Sequence, residues 1–80
     1  MEFIVIGQTS YETRMFVERI LQIMEKKGIT RVALAKRLDL YPSQVTKILS
    51  GRENMTVRTM ESLAEAVGYQ LVFGLRRLPS

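Results

Sequence analysis

Between Pro42 and Gly51 the chain reads PSQVTKILSG, with polar residues spaced for hydrogen bonding along one side of a helix. At about 100° per residue, Ser43, Thr46, Lys47 and Ser50 share that side and Gln44 lies on its flank. Val45, Ile48 and Leu49 fall opposite. The polar side offers hydroxyls, an amide and one cation, and no acid occurs between Asp39 and Glu53. A merely soluble helix normally mixes acids with bases. This one can meet phosphates without like-charge repulsion and present donors and acceptors to base edges. The plainer reading of the same pattern is a four-helix bundle whose exposed face happens to be polar.

Catalytic chemistry finds little to work with. The 80 residues include no cysteine and no histidine, which removes the thiolate, the commonest general base and the commonest metal ligand. The carboxylates are scattered over helix faces, and no nucleophile has a plausible base partner. Neither an enzyme, a metal site nor a cofactor is expected.

Charge points to an acidic partner. The formal net charge is +4, and its location says more than its total. From Lys26 to Arg58 the basic residues are Lys26, Lys27, Arg31, Lys36, Arg37, Lys47, Arg52 and Arg58, against Asp39 and Glu53 alone. The preceding segment sets Glu12, Glu18 and Glu25 against Arg14 and Arg19 and is close to neutral. The apolar opening FIVIG is too short to span a bilayer and lacks the features of a signal peptide. A cytoplasmic protein with no membrane partner is expected.

Several elements must position the polar helix. Phe3 to Ile6 read as a short strand ended by Gly7. A long helix follows, with Thr9 and Glu12 spaced as a capping box and Phe16, Val17, Ile20, Leu21, Ile23 and Met24 forming its apolar stripe. Lys26 and Lys27 suit its negative end, and Gly28 supplies the left-handed terminating residue. Thr30 is the next N-cap, for a helix to about Leu38 that buries Val32, Leu34, Ala35 and Leu38. The helical pattern then breaks at Asp39-Leu40-Tyr41. Pro42 suits the first turn of a third helix, because its missing amide hydrogen would be unpaired there anyway. That helix runs to about Ser50 and is closed by Gly51. Thr56 caps a fourth, with Val57, Met60, Leu63, Ala64 and Val67 on one face and Gly68 at its end. YQLVFGL is a second strand candidate, with Tyr69, Leu71 and Phe73 on one side, and RRLPS is a tail. A break this tight sets two short helices at a steep angle, so that one braces while the other projects into a major groove. Pro42 and Ser43 then reach base edges first.

The run GITRVALAKRLDLYPSQVTKILSGRENMTVRTMESLAEAVG, Gly28 to Gly68, resembles the helix-turn-helix of the phage repressor/Cro (XRE-type) family. The likeness rests on Thr30, Leu34, Ala35, Leu38, Val45, Ile48, Leu49 and Gly51, with Leu63, Ala64, Ala66 and Gly68 further on. Arg31 stands where the family often has glutamine against a phosphate. Asp39 stands where glycine is usual; aspartate tolerates the left-handed conformation better than most residues. Tyr41 takes the usual serine or threonine cap position and cannot cap in the same way.

The resemblance implies a mostly α, repressor-like domain of the four-to-five-helix type, with four helices predicted and short terminal strands able to form a small sheet. One domain then spans residues 1–80, with the helix-turn-helix core at 28–68 and strands at 3–6 and 69–75. Carried over residue by residue, Pro42, Ser43 and Lys47 face bases, with Gln44 and Thr46 beside them. Lys47 suits guanine, and Gln44 suits adenine or a phosphate. Arg31, Ser50, Arg52 and Asn54 hold phosphates. The Tyr41 phenol touches a phosphate or packs on the turn. Lys36 and Arg37 read as ordinary solvated charges.

The implied function is a sequence-specific double-stranded-DNA-binding regulator, a repressor acting as a homodimer on a palindromic operator. The terminal strands are candidates for pairing, within one chain or across a two-fold axis. No effector domain is expected in this length. The alternative is an antitoxin whose terminal segments hold a toxin while it autoregulates its promoter. RNA reading lacks the usual aromatic platforms, since Tyr41 stands alone.

Overall fold

The computed structural model describes residues 4–5, 10–51, 55–72 and 77–79. Four helices, α1 (Ser10–Lys27), α2 (Arg31–Leu38), α3 (Pro42–Leu49) and α4 (Val57–Ala66), lie between two short strands, β1 (Ile4–Val5) and β2 (Leu71–Val72). The mostly helical expectation holds. The strands pair in parallel, Ile4 opposite Leu71 and Val5 opposite Val72. The expected strand residues 3, 6 and 73–75 lie outside the described residues, as do Thr9 and the capping box it was to form. Tyr69 and Gln70, expected in the second strand, precede β2.

The helix ends obey local rules. Thr30 caps α2 by accepting the Ala33 amide at 3.1 Å, and Thr56 caps α4 by accepting the Thr59 amide at 3.2 Å. Three helices close with one motif, in which a left-handed residue turns the chain and the next residue folds onto the core. Gly28 ends α1, with the Ile29 amide on the Met24 carbonyl at 2.8 Å. Asp39 ends α2 at φ 57°, with the Leu40 amide on the Ala35 carbonyl at 2.9 Å. Gly68 ends α4, with the Tyr69 amide on the Ala64 carbonyl at 2.8 Å. In each case the following residue, Ile29, Leu40 or Tyr69, packs against the core. Asp39 is the only non-glycine among the described residues with positive φ, at the position where aspartate was expected to replace glycine.

The core collects Phe16, Val17, Ile20, Ile23 and Met24 from α1, Leu34 and Ala35 from α2, Val45 and Leu49 from α3, and Met60, Leu63 and Val67 from α4 and its C-cap. Leu21, Leu38 and Ile48 are partly buried against it, and Val57 is half-buried. Val32 departs from expectation and is 55% exposed. It is apolar but out of phase, because at 100° per residue it points more than a quarter turn away from the stripe of Leu34, Ala35 and Leu38.

Two cations have structural employment. Lys27 Nζ donates to the Val67 carbonyl at 2.7 Å and lies 5.1 Å from the Tyr69 ring centroid. Arg37 donates to the Ala66 carbonyl at 2.7 Å, which corrects the reading of Arg37 as an ordinary solvated charge. Helix α4 has no basic residue in its own last turn, so cations from α1 and α2 meet its exposed carbonyls and negative dipole end. A side chain at Gly68 would obstruct this, since a Cβ there would lie 2.6 Å from Lys27 Nζ.

Substitution Asp39→Val should cost about 1–2 kcal/mol by forcing a β-branched residue into the left-handed region, whereas Asp39→Gly should not lower the thermal midpoint. Equal losses in the two variants would show that the side chain, not the backbone conformation, is what the turn requires. Replacing Lys27 by Met should remove about 1 kcal/mol, and the more exposed Arg37→Ala about half that. Thermal unfolding measures both, and unchanged midpoints would remove the two cations from the capping of α4.

Candidate nucleic-acid interface

Helix α3 is fixed from beneath. Val45 is fully buried and Leu49 is 5% exposed, with Ile48 partly covered. Pro42, Ser43, Gln44, Thr46, Lys47 and Ser50 are all exposed, which is the division expected from helical phase. Helix α2 packs against both α3 and α4. The left-handed turn at Asp39 and the insertion of Leu40 set the direction in which α3 leaves α2.

The start of α3 has its own geometry. Tyr41 is the N-cap residue, in extended backbone at φ −82° and ψ 149°, and its side chain makes no cap hydrogen bond. The ring is 75% exposed, so it does not pack away against the turn. The cap is supplied from the other direction, because the Tyr41 amide donates to Gln44 Oε1 at 2.8 Å. This is the returning half of a capping box, and it orients the Gln44 amide group. With Oε1 held by the backbone, the Gln44 NH2 group is the end left to donate outward. That geometry suits an acceptor such as a phosphate oxygen better than the bidentate grip on adenine, which needs both ends of the amide.

Near the other end of α3, Ser50 Oγ donates to the Lys47 carbonyl at 2.7 Å. Its hydroxyl proton is turned onto the helix, so a phosphate contact requires the hydroxyl to rotate. Gly51 then takes φ +71° and the chain leaves α3. Arg52 and Asn54 lie outside the described residues. Met55 is packed on the core, and Thr56 begins α4.

Arg31 is the first residue of α2 and is exposed directly after the Thr30 cap. None of α2, α3 and α4 carries an acid in its first turn. Acids are the usual partners of a helix's positive end, so these three ends remain uncompensated and favourable to anions. Arg31, Tyr41, Pro42, Ser43, Gln44, Thr46 and Lys47 are thus all at or near positive helix ends or on the outward side of α3.

Sequence reasoning missed two features. Gln44 was read for bases and phosphates, although glutamine three residues after a cap position also signals a capping box. Arg58, the second residue of α4, was given no role. It is exposed and borders a shallow groove of about 340 Å³ floored by Leu38, Leu40, Ile48 and Leu63. Among the described residues no three histidines, cysteines, aspartates or glutamates come together as a possible metal site. No described helix is long and apolar enough to cross a membrane.

A helix-turn-helix family model matches residues 20–73, which is more than half of the chain and includes all of α2, α3 and α4. Neither the curated proteins nor the solved structures yield a significant match. The pair formed by α2 and α3, joined through the Asp39 turn, lies wholly inside the matched segment, and the chain belongs to the XRE-type helix-turn-helix family of DNA-binding transcription regulators.

Proposed function

We propose that the protein is a sequence-specific repressor that binds a palindromic operator as a homodimer, with α3 as the reading helix in the major groove. The observation that carries this is the acid-free, exposed outward side of α3, held rigidly by Val45 and Leu49 and set at an angle by the turn before it. Ser43, Thr46 and Lys47 contact base edges, with Pro42 at the leading end. Lys47 donates to guanine O6 or N7. Arg31, Tyr41, Gln44, Ser50, Arg52 and Asn54 hold phosphates, which fixes register without reading sequence.

One recognition helix spans only a few base pairs, and a two-fold dimer doubles the site at a spacing of about 34 Å. The sheet supports such a dimer in one respect. It has only two strands, so each keeps an outer edge without a strand partner among the described residues. Val72, in β2, is 36% exposed. An antitoxin would use the same DNA face and add a toxin on the terminal segments. The pairing of β1 with β2 occupies one edge of each strand and leaves the other open to a second copy or to a toxin, so it serves both readings. Coexpression with the neighbouring open reading frame separates the two readings: a stable complex supports the antitoxin.

Lys47→Ala should weaken cognate binding by about 1–3 kcal/mol and relax preference at one base position. If preference is retained at every position, Lys47 does not read a base. Arg52→Ala should weaken cognate and random duplexes alike and lower the slope of log affinity against log salt by about one unit. An unchanged slope removes Arg52 from the phosphate contacts.

A further inference from the structure

Arg14 lies on α1, outside the matched segment 20–73 and outside every residue assigned above to DNA. Its surroundings connect it to the reading helix. Gly51 is the left-handed residue at which the chain leaves α3, and a Cβ built there would stand 3.9 Å from Arg14 Cγ and 4.0 Å from Arg14 Cα. The early part of α1 is therefore packed against the point where α3 ends. The contact involves the stem and backbone of Arg14 and leaves the side chain exposed. Met15 beside it is 52% exposed, while Thr13 and Phe16 are buried. The core thus fixes the phase of α1 and directs position 14 outward at this junction.

Arg14 is exposed beside the carboxyl end of α3, whose negative dipole end itself favours a cation there. Arg14 stands in the second turn of α1, past the first turn over which the positive end of the helix dipole acts. Glu18 follows four residues later, which is the weaker order for a helical ion pair. No hydrogen bond or ion pair joins Arg14 to another described residue. An external anion beside the C-terminal end of α3 would meet it there, and a planar five-donor guanidinium on a long stem is suited to grip a phosphate.

We infer that Arg14 is a backbone-phosphate contact that extends the DNA footprint past the C-terminal end of α3. The inference rests on α3 being the DNA-reading helix. It adds a contact from α1, upstream of the matched helix-turn-helix, on the strand segment beside Gly51. The competing account is internal, with Arg14 neutralising Glu18 or Glu53.

The test is the salt dependence of binding to a duplex of random sequence, measured for the full chain and for Arg14→Gln and Arg14→Lys, with thermal midpoints in parallel. Arg14→Gln should lower the salt slope by about 0.9 unit with its midpoint retained, and Arg14→Lys should restore the slope. A slope equal to that of the unaltered chain overturns the inference and leaves the DNA reading of α3 intact. A fall in midpoint with an unchanged slope also overturns it, in favour of the internal ion pair. Absence of salt-dependent binding by the unaltered chain would overturn the DNA reading itself, and this inference with it.

Discussion

The left-handed backbone at Asp39 is the constraint on which the rest of the site depends. It ends α2 and sends Leu40 onto the core, with the Leu40 amide closing on the Ala35 carbonyl. Only then is the chain extended at Tyr41 and ready to start α3 at Pro42. A non-glycine residue in this region costs about 1–2 kcal/mol relative to ordinary helix. Burial of Leu40 and the two amide hydrogen bonds at the turn offset that cost. The same device at Gly28–Ile29 and Gly68–Tyr69 closes α1 and α4, so apolar residues just past three helix ends knit the connections into the core.

Once α3 is anchored by Val45 and Leu49, its outward side carries no packing duty and is available for chemistry. Net charge is a poor guide to how much of the surface attracts DNA. Lys27 and Arg37 are committed to the carboxyl end of α4. Arg31 begins α2, whose first turn lacks a compensating acid, and Lys47 is exposed in the last turn of α3. Lys27 and Arg37 thus hold the fold, whereas Arg31 is exposed at the positive end of α2. Both contacts are tertiary, joining Arg37 to Ala66 across 29 residues of sequence and Lys27 to Val67 across 40.

Much of the fold was legible because its signals are local. Thr30 and Thr56 before apolar-periodic runs, Pro42 at a first turn, and glycines at 28, 51 and 68 each encode a boundary by its own backbone chemistry, and the helices begin and end where these residues place them. The division of α3 into buried and exposed sides follows from phase alone. Val32 was misjudged because apolar identity outweighed phase on a short helix. The duties of Lys27 and Arg37 were hidden because they are tertiary, created when α1 and α2 meet α4. The lack of a basic residue in the last turn of α4 was the available sign. Gln44 carried two compatible signals, and the helix cap takes one end of its side chain.

The central claim is that the outward side of α3 reads DNA sequence. Selection of bound duplexes from a randomised library at near-physiological salt tests it most directly. The account predicts enrichment of an inverted repeat whose half-sites lie about one helical turn apart. Salt-sensitive retention of DNA with no enriched motif would contradict it, leaving a basic surface that holds phosphates and reads no bases.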